Sequence, residues 1–88
     1  MNETLVIIPT YNEAKNITKL INELKKINVD ILIVDDNSPD NTSNLVKQNK
    51  SYNISIFVID RLEKLGLGSA YRVGFSWAIE KELSLIHI

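Results

Sequence analysis

The chain has no cysteine among its 88 residues. That excludes disulfides, thiolate metal sites and thiol nucleophiles, and it fits a reducing compartment. No apolar run approaches the roughly 20 residues that a spanning helix requires. No basic stretch precedes the first apolar run, so a secretory leader is not expected. Neither charge sign dominates: ten Lys and Arg stand against eleven Asp and Glu, for a net charge of −1. A general attraction to nucleic acid or anionic lipid is therefore absent, and an anionic ligand must be held by local geometry. Glycine occurs three times and proline twice, with no low-complexity tract, linker or internal repeat.

What is present is a set of short β-branched runs: Leu5–Ile8, Ile31–Val34 and Ile54–Ile59. They are nearly continuous rather than alternating, the pattern of strands covered on both faces. Between them lie helical spacings. Ile17, Leu20, Ile21, Leu24 and Ile27 form one amphipathic stripe. Ser38-Pro39-Asp40 reads as a helix start, with Ser38 as N-cap and Leu45 and Val46 on the buried face. A third helix is expected from about Gly68 to Glu82. Ala70, Gly74 and Ala78 recur along it every four residues and allow a close approach to the sheet, while Phe75, Trp77 and Ile79 supply bulk. The order β-α-β-α-β-α, with a further strand starting at Leu83, predicts an α/β, three-layer, mostly parallel open sheet of Rossmann type.

Ligands of such sheets bind outside the carboxyl ends of the strands, and the polar residues gather there. The first strand empties into Pro9-Thr10-Tyr11-Asn12-Glu13. Tyr11 offers a flat face for a base or ribose, and Glu13 can accept from ribose hydroxyls or base amines. In the alternative reading, Asn12 caps the first helix and Glu13 complements its dipole. The second strand empties into Asp35-Asp36-Asn37-Ser38-Pro39-Asp40. Adjacent carboxylates at a strand end point to different sides, so one can brace the backbone while the other meets a ribose diol, a base edge or a divalent metal. The third strand leads to Asp60, Arg61, Lys64 and Gly66-Leu67-Gly68. These glycines do not complete a dinucleotide fingerprint, because Tyr71 stands at the third glycine position. Arg61 and Lys64 can help neutralise a diphosphate.

Val6 through Glu13 resembles the opening of family 2 glycosyltransferases, and Ile33 through Asp40 resembles their second motif. With Arg61, Lys64 and Gly66 through Tyr71, the series is similar to the polyprenol (dolichol) monophosphomannose synthase branch of that family. The resemblance implies the GT-A fold, with residues 1–88 forming the N-terminal nucleotide-sugar-binding part of a single domain, truncated before the acceptor half. It implies a nucleotide-sugar site made of Pro9, Tyr11, Glu13, Val34 and Asp36. It further implies a GDP-mannose donor, a polyprenyl phosphate acceptor at the cytosolic face of a membrane, and inversion at the anomeric carbon. The complete enzyme is expected to use Mg²⁺ or Mn²⁺ on an Asp-x-Asp that this chain lacks, so these residues alone are not expected to transfer mannose. Asn41 replaces the usual glycine of Ser-Pro-Asp-Gly-Thr. Residues 83–88 contain no acid and fit the family poorly, as a non-native tail would.

Three other readings stay open at this point. One is a family 2 enzyme using UDP-glucose or another UDP-sugar. Another is a phosphoacceptor signalling domain, for which Asp60 ends the right strand but the acidic pair follows the wrong one. The last is a non-catalytic nucleotide-binding fragment.

Overall fold

The computed structural model describes residues 4–62, 67–80 and 85–87. Four strands, β1 (Thr4–Thr10), β2 (Asp30–Asp35), β3 (Ile56–Asp60) and β4 (Leu85–His87), form one sheet in the order β3-β2-β1-β4. All neighbouring pairs are parallel. Helices α1 (Ala14–Leu24), α2 (Thr42–Lys47) and α3 (Leu67–Glu80) connect them, and a short 3₁₀ turn, Lys25–Ile27, follows α1.

The period of two along β2 sorts the core into two layers. Ile31 and Ile33 pack with Ile17 and Ile21 of α1, Val46 of α2 and Ile56. Leu32 and Val34 pack with Leu5, Ile7, Ala70 and Ala78 on the α3 side. All six residues of β2 are buried, which explains its unbroken apolar run. The architecture is thus the three-layer parallel α/β sheet expected from the sequence.

The stripe of small residues in α3 does what its spacing implied. Ala70 and Ala78 are fully buried, and a Cβ at Gly74 would lie 2.7 Å from Ile7 Cγ2 and 2.8 Å from its Cδ1. On one flank of this contact, Phe57 and Trp77 meet with ring centroids 5.1 Å apart.

Several expected boundaries are corrected. Ile27 is 62% exposed. The helix gives way to the 3₁₀ turn before it, and Asn28 then ends the segment in the left-handed region at φ 54°. Ile54 lies in a turn, not in β3: the Ser51 carbonyl accepts from the amides of Ile54, Ser55 and Ile56, and Asn53 is left-handed. Leu45 and Ile79 face outward, so only Val46 of the first pair is buried. Ser38 does not cap α2. The N-cap is Asn41 at φ 62°, a geometry that suits the glycine for which it substitutes. β4 includes part of the segment 83–88; residues 83, 84 and 88 lie outside the described residues.

Gly74→Ala is expected to lower stability by about 1 kcal/mol, since overpacking against Ile7 (about 1–3 kcal/mol) exceeds the gain in helix propensity (about 1 kcal/mol). In an Ile7→Ala background the same change is expected to be neutral or stabilising. Urea denaturation of the four proteins of this cycle measures the coupling.

Candidate functional site

The register brings the loop residues to one edge at one level. Pro9 pairs with Val34, and Thr10 with Asp35, which in turn pairs with Asp60. Beyond the strands the same level continues: the Asp36 amide donates to the Thr10 carbonyl at 3.1 Å, and the Arg61 amide to the Asp35 carbonyl at 2.8 Å. Connections run from β1 through β2 to β3 in one direction, while β4 lies on the other flank of β1. The order reverses beside β1, where open α/β sheets form their ligand crevice.

The two acids divide the work. Asp35 is turned into the fold and is 2% exposed. Its Oδ1 accepts from Thr10 Oγ1 and Ser38 Oγ, each at 2.6 Å, and its Oδ2 accepts from the Ser38 amide at 3.0 Å. Asp36 is gripped by Arg61, whose Nε and Nη2 donate to its two oxygens at 2.5 and 2.8 Å. Arg61 Nη1 also donates to Ser69 Oγ at 2.7 Å, so α3 joins the cluster. Both side chains of this fork are over nine-tenths buried. The fork fixes the orientation of the Asp36 carboxylate at the strand end.

Tyr11 is 39% exposed at the rim. Glu13 occupies the N-cap position of α1 without a side-chain cap, and Asn12 stands in the left-handed region at φ 58°. Pro9 and Glu13 line a cleft of about 250 Å³ with Ile8, Thr10, Asn16, Ile17 and Leu20. Val34 is fully buried against the α3 layer, in the middle of the sheet between Pro9 of β1 and Ile59 of β3. Lys64 and Gly66 lie outside the described residues.

Asn12 does not cap α1, which corrects the alternative reading of that loop. The second loop supplies the partners instead. The amides of Asn12, Glu13 and Ala14 donate to Ser38 Oγ, Thr42 Oγ1 and Asp40 Oδ2 at 2.9, 3.0 and 3.0 Å. Thr42 Oγ1 in turn donates to Asp40 Oδ1, which also accepts from the Thr42 amide at 3.1 Å. Sequence reasoning missed this role of Ser38 and Thr42. Its signal is the alternation of short acceptors at 38, 40 and 42, of which local rules place Ser38 and Asp40 at the start of a helix and leave Thr42 without a role.

A family model, Glycosyl transferase family 2, matches residues 5–85. The chain belongs to this family. A polyprenol monophosphomannose synthase of Mycolicibacterium smegmatis is 40% identical over 86 residues, covering 94% of this chain and 32% of that protein. An undecaprenyl-phosphate mannosyltransferase of Micrococcus luteus is 39% identical over 79 residues, covering 88% of this chain and 32% of that protein. A dolichol-phosphate mannosyltransferase of Pyrococcus furiosus is 51% identical over 39 residues, covering 40% of this chain and 11% of that protein. The chain therefore spans about a third of the length of the first two. Membership of family 2 removes the phosphoacceptor reading. Asp60, which that reading needed, is hydrogen-bonded by Ser43 and Lys47 beside a polar cleft of about 240 Å³.

Ionisation follows these contacts. Burial pushes the Asp60 carboxyl up, but the hydrogen bonds from Lys47 and Ser43 outweigh it and leave the group below its ordinary value. The same contact raises Lys47. The hydrogen bond from the Thr42 hydroxyl, with those from the Ala14 and Thr42 amides, holds Asp40 below 3.8. A carboxyl lowered by folding contributes stability that is complete above its unfolded value and is lost as pH falls through the folded one. Acidification below about pH 4 is thus expected to loosen the junction of α1 and α2. Asp40→Asn is expected to be less stable than wild type at pH 7 and to show a shallower loss of stability toward pH 3. Urea midpoints measured across that range check both points, and parallel pH profiles would contradict the assignment.

Proposed function

We propose that this chain forms the donor-binding part of a glycosyltransferase that moves mannose from GDP-mannose to a polyprenyl phosphate at the cytosolic face of a membrane. The observation that carries the reading is the convergence of Tyr11, Glu13 and the Asp36–Arg61 fork on the sheet edge beside the strand-order reversal. The polyprenol, undecaprenyl-phosphate and dolichol-phosphate enzymes among the relatives support the acceptor and sugar class.

In this reading Tyr11 packs on the base or ribose, Glu13 accepts from hydroxyl or amine groups, Pro9 lines the cleft beside Glu13, and Val34 supports the site from within the sheet. Asp36 presents to the base or ribose a carboxylate that the Arg61 fork orients. An acceptor phosphate oxygen attacks the anomeric carbon as the bond to the diphosphate breaks, and the electron pair leaves with GDP, so the configuration inverts. The acceptor is already ionised at neutral pH, which lessens the need for a strong general base. Among the described residues no group of three His, Cys, Asp or Glu could hold a metal ion. Arg61 already occupies the carboxylate of Asp36. These residues do not fit a complete cation site, and Mg²⁺ or Mn²⁺ belongs to the proposal only with ligands supplied from elsewhere. Among the described residues no helix is long and apolar enough to cross a membrane.

Titration of the chain with GDP-mannose and UDP-glucose in parallel, followed by NMR, tests the reading. GDP-mannose is expected to bind more tightly. Asp36→Asn is expected to weaken it about 10- to 150-fold, the equivalent of one charge-assisted hydrogen bond at roughly 1.5–3 kcal/mol. Unchanged affinity in the variant would remove Asp36 from the site, and preference for UDP-glucose would reassign the donor.

A further inference from the structure

We infer that Ser38, Asp40 and Thr42 are positioning residues of the donor site, clamping the backbone that carries Tyr11 and Glu13. The inference rests on the donor reading above and extends it to residues that touch no donor in that reading.

The clamp takes three consecutive amides, Asn12, Glu13 and Ala14, with three alternate residues of the other loop. Each hydroxyl is oriented on both sides. Ser38 Oγ gives its proton to Asp35 and accepts the Asn12 amide, while Thr42 Oγ1 gives its proton to Asp40 and accepts the Glu13 amide. Two relays of the form amide to hydroxyl to carboxylate result. Bonds to an ionised acceptor are the stronger kind, and linked bonds polarise one another.

Three physical consequences follow. First, the Glu13 and Ala14 amides at the start of α1, which would otherwise be orphan donors that attract an anion, are already committed, and the carboxylate of Asp40 stands against them. That end of the helix is thus made less attractive to the diphosphate of a donor and serves as a mount. Second, Asn12 stands at φ 58°, a left-handed conformation that asparagine tolerates better than other non-glycine residues and that turns the chain into α1. The clamp brackets that residue on both sides, at its own amide and at the next two. Third, Tyr11 is 39% exposed at the rim and immediately precedes the three clamped amides, so the clamp sets the backbone that carries it. A loop ordered before the ligand arrives lowers the entropy cost of binding.

The test is an NMR titration of the full 88-residue chain with GDP-mannose, run on wild type, Thr42→Val, Thr42→Ser and Ile21→Val. Thr42→Val keeps the shape but removes the relay, Thr42→Ser keeps the hydroxyl, and Ile21→Val loosens α1, the helix whose start the clamp holds, in the core. Thr42→Val is expected to weaken binding about five- to tenfold, the equivalent of one hydrogen bond, and to speed exchange of the Glu13 amide. Thr42→Ser is expected to restore both, and Ile21→Val to leave the affinity within about twofold of wild type. Wild-type affinity in Thr42→Val, or an equal loss in Ile21→Val, overturns the inference by showing a merely structural role. A wild-type chain that binds neither GDP-mannose nor UDP-glucose overturns the donor reading, and this inference with it, on the wild-type curve alone. Should Thr42→Val fail to fold, Asp40→Asn serves in its place with the same expected loss.

Discussion

The carboxylate of Asp35 is the interaction on which the site depends. It sits at the end of the most buried strand, and its two oxygens take three hydrogen bonds from Thr10 and Ser38. Through Thr10 it ties down the end of β1, and through Ser38 it reaches the Asn12 amide. Its own carbonyl accepts from Arg61, the residue after β3. Three strand ends are thereby joined at one buried anion. Burying such a charge costs several kcal/mol unless donors surround it; here those donors come from the loops that must be aligned. The cost of burial and the alignment of the site are met by the same bonds.

With Asp35 committed to the fold, its neighbour is left to chemistry. Asp36 meets Arg61, the residue after β3, which leans in turn on Ser69 of α3. The fork is nearly dry, so its geometry is well defined, and removing either partner would leave a buried charge unpaired. Elements from both helical layers thus converge on one edge of the sheet. The α1–α2 layer sets Tyr11 and Glu13 through the loop clamp, and the α3 layer sets Asp36 through Arg61.

Much of this was legible in the sequence because it rests on patterns the chain repeats. The continuous runs at Leu5–Ile8 and Ile31–Val34 are what a strand buried on both sides requires, and they gave the parallel sheet. Ala70, Gly74 and Ala78 gave the close contact with Ile7. The division of the acidic pair followed from strand alternation, though which acid turned inward did not. What escaped was tertiary. Ser38-Pro39-Asp40 has the composition of a local helix start, and local rules assign it to α2; its partners are amides 26 residues earlier for Ser38 and Asp40. Ile27 and Ile54 extend apolar patterns into the segments where Asn28 and Asn53 turn the chain, because an asparagine in the left-handed region is not marked as clearly as a glycine would be. The fork of Arg61 on Asp36 joins residues 25 apart across two strands, a register no local pattern fixes.

The most direct measurement of this account is amide hydrogen exchange in Asp35→Asn, followed residue by residue by NMR. An amide side chain can accept with one end only, so either the Ser38 amide or the two hydroxyls lose their acceptor, at about 1–3 kcal/mol. The Asn12 and Ser38 amides are expected to exchange faster by a larger factor than the Ile33 amide in the middle of β2, so that the loops loosen before the sheet does. Equal acceleration at Asn12, Ser38 and Ile33, or none at Asn12 and Ser38, would contradict the claim that one buried carboxylate holds the loops of the site together.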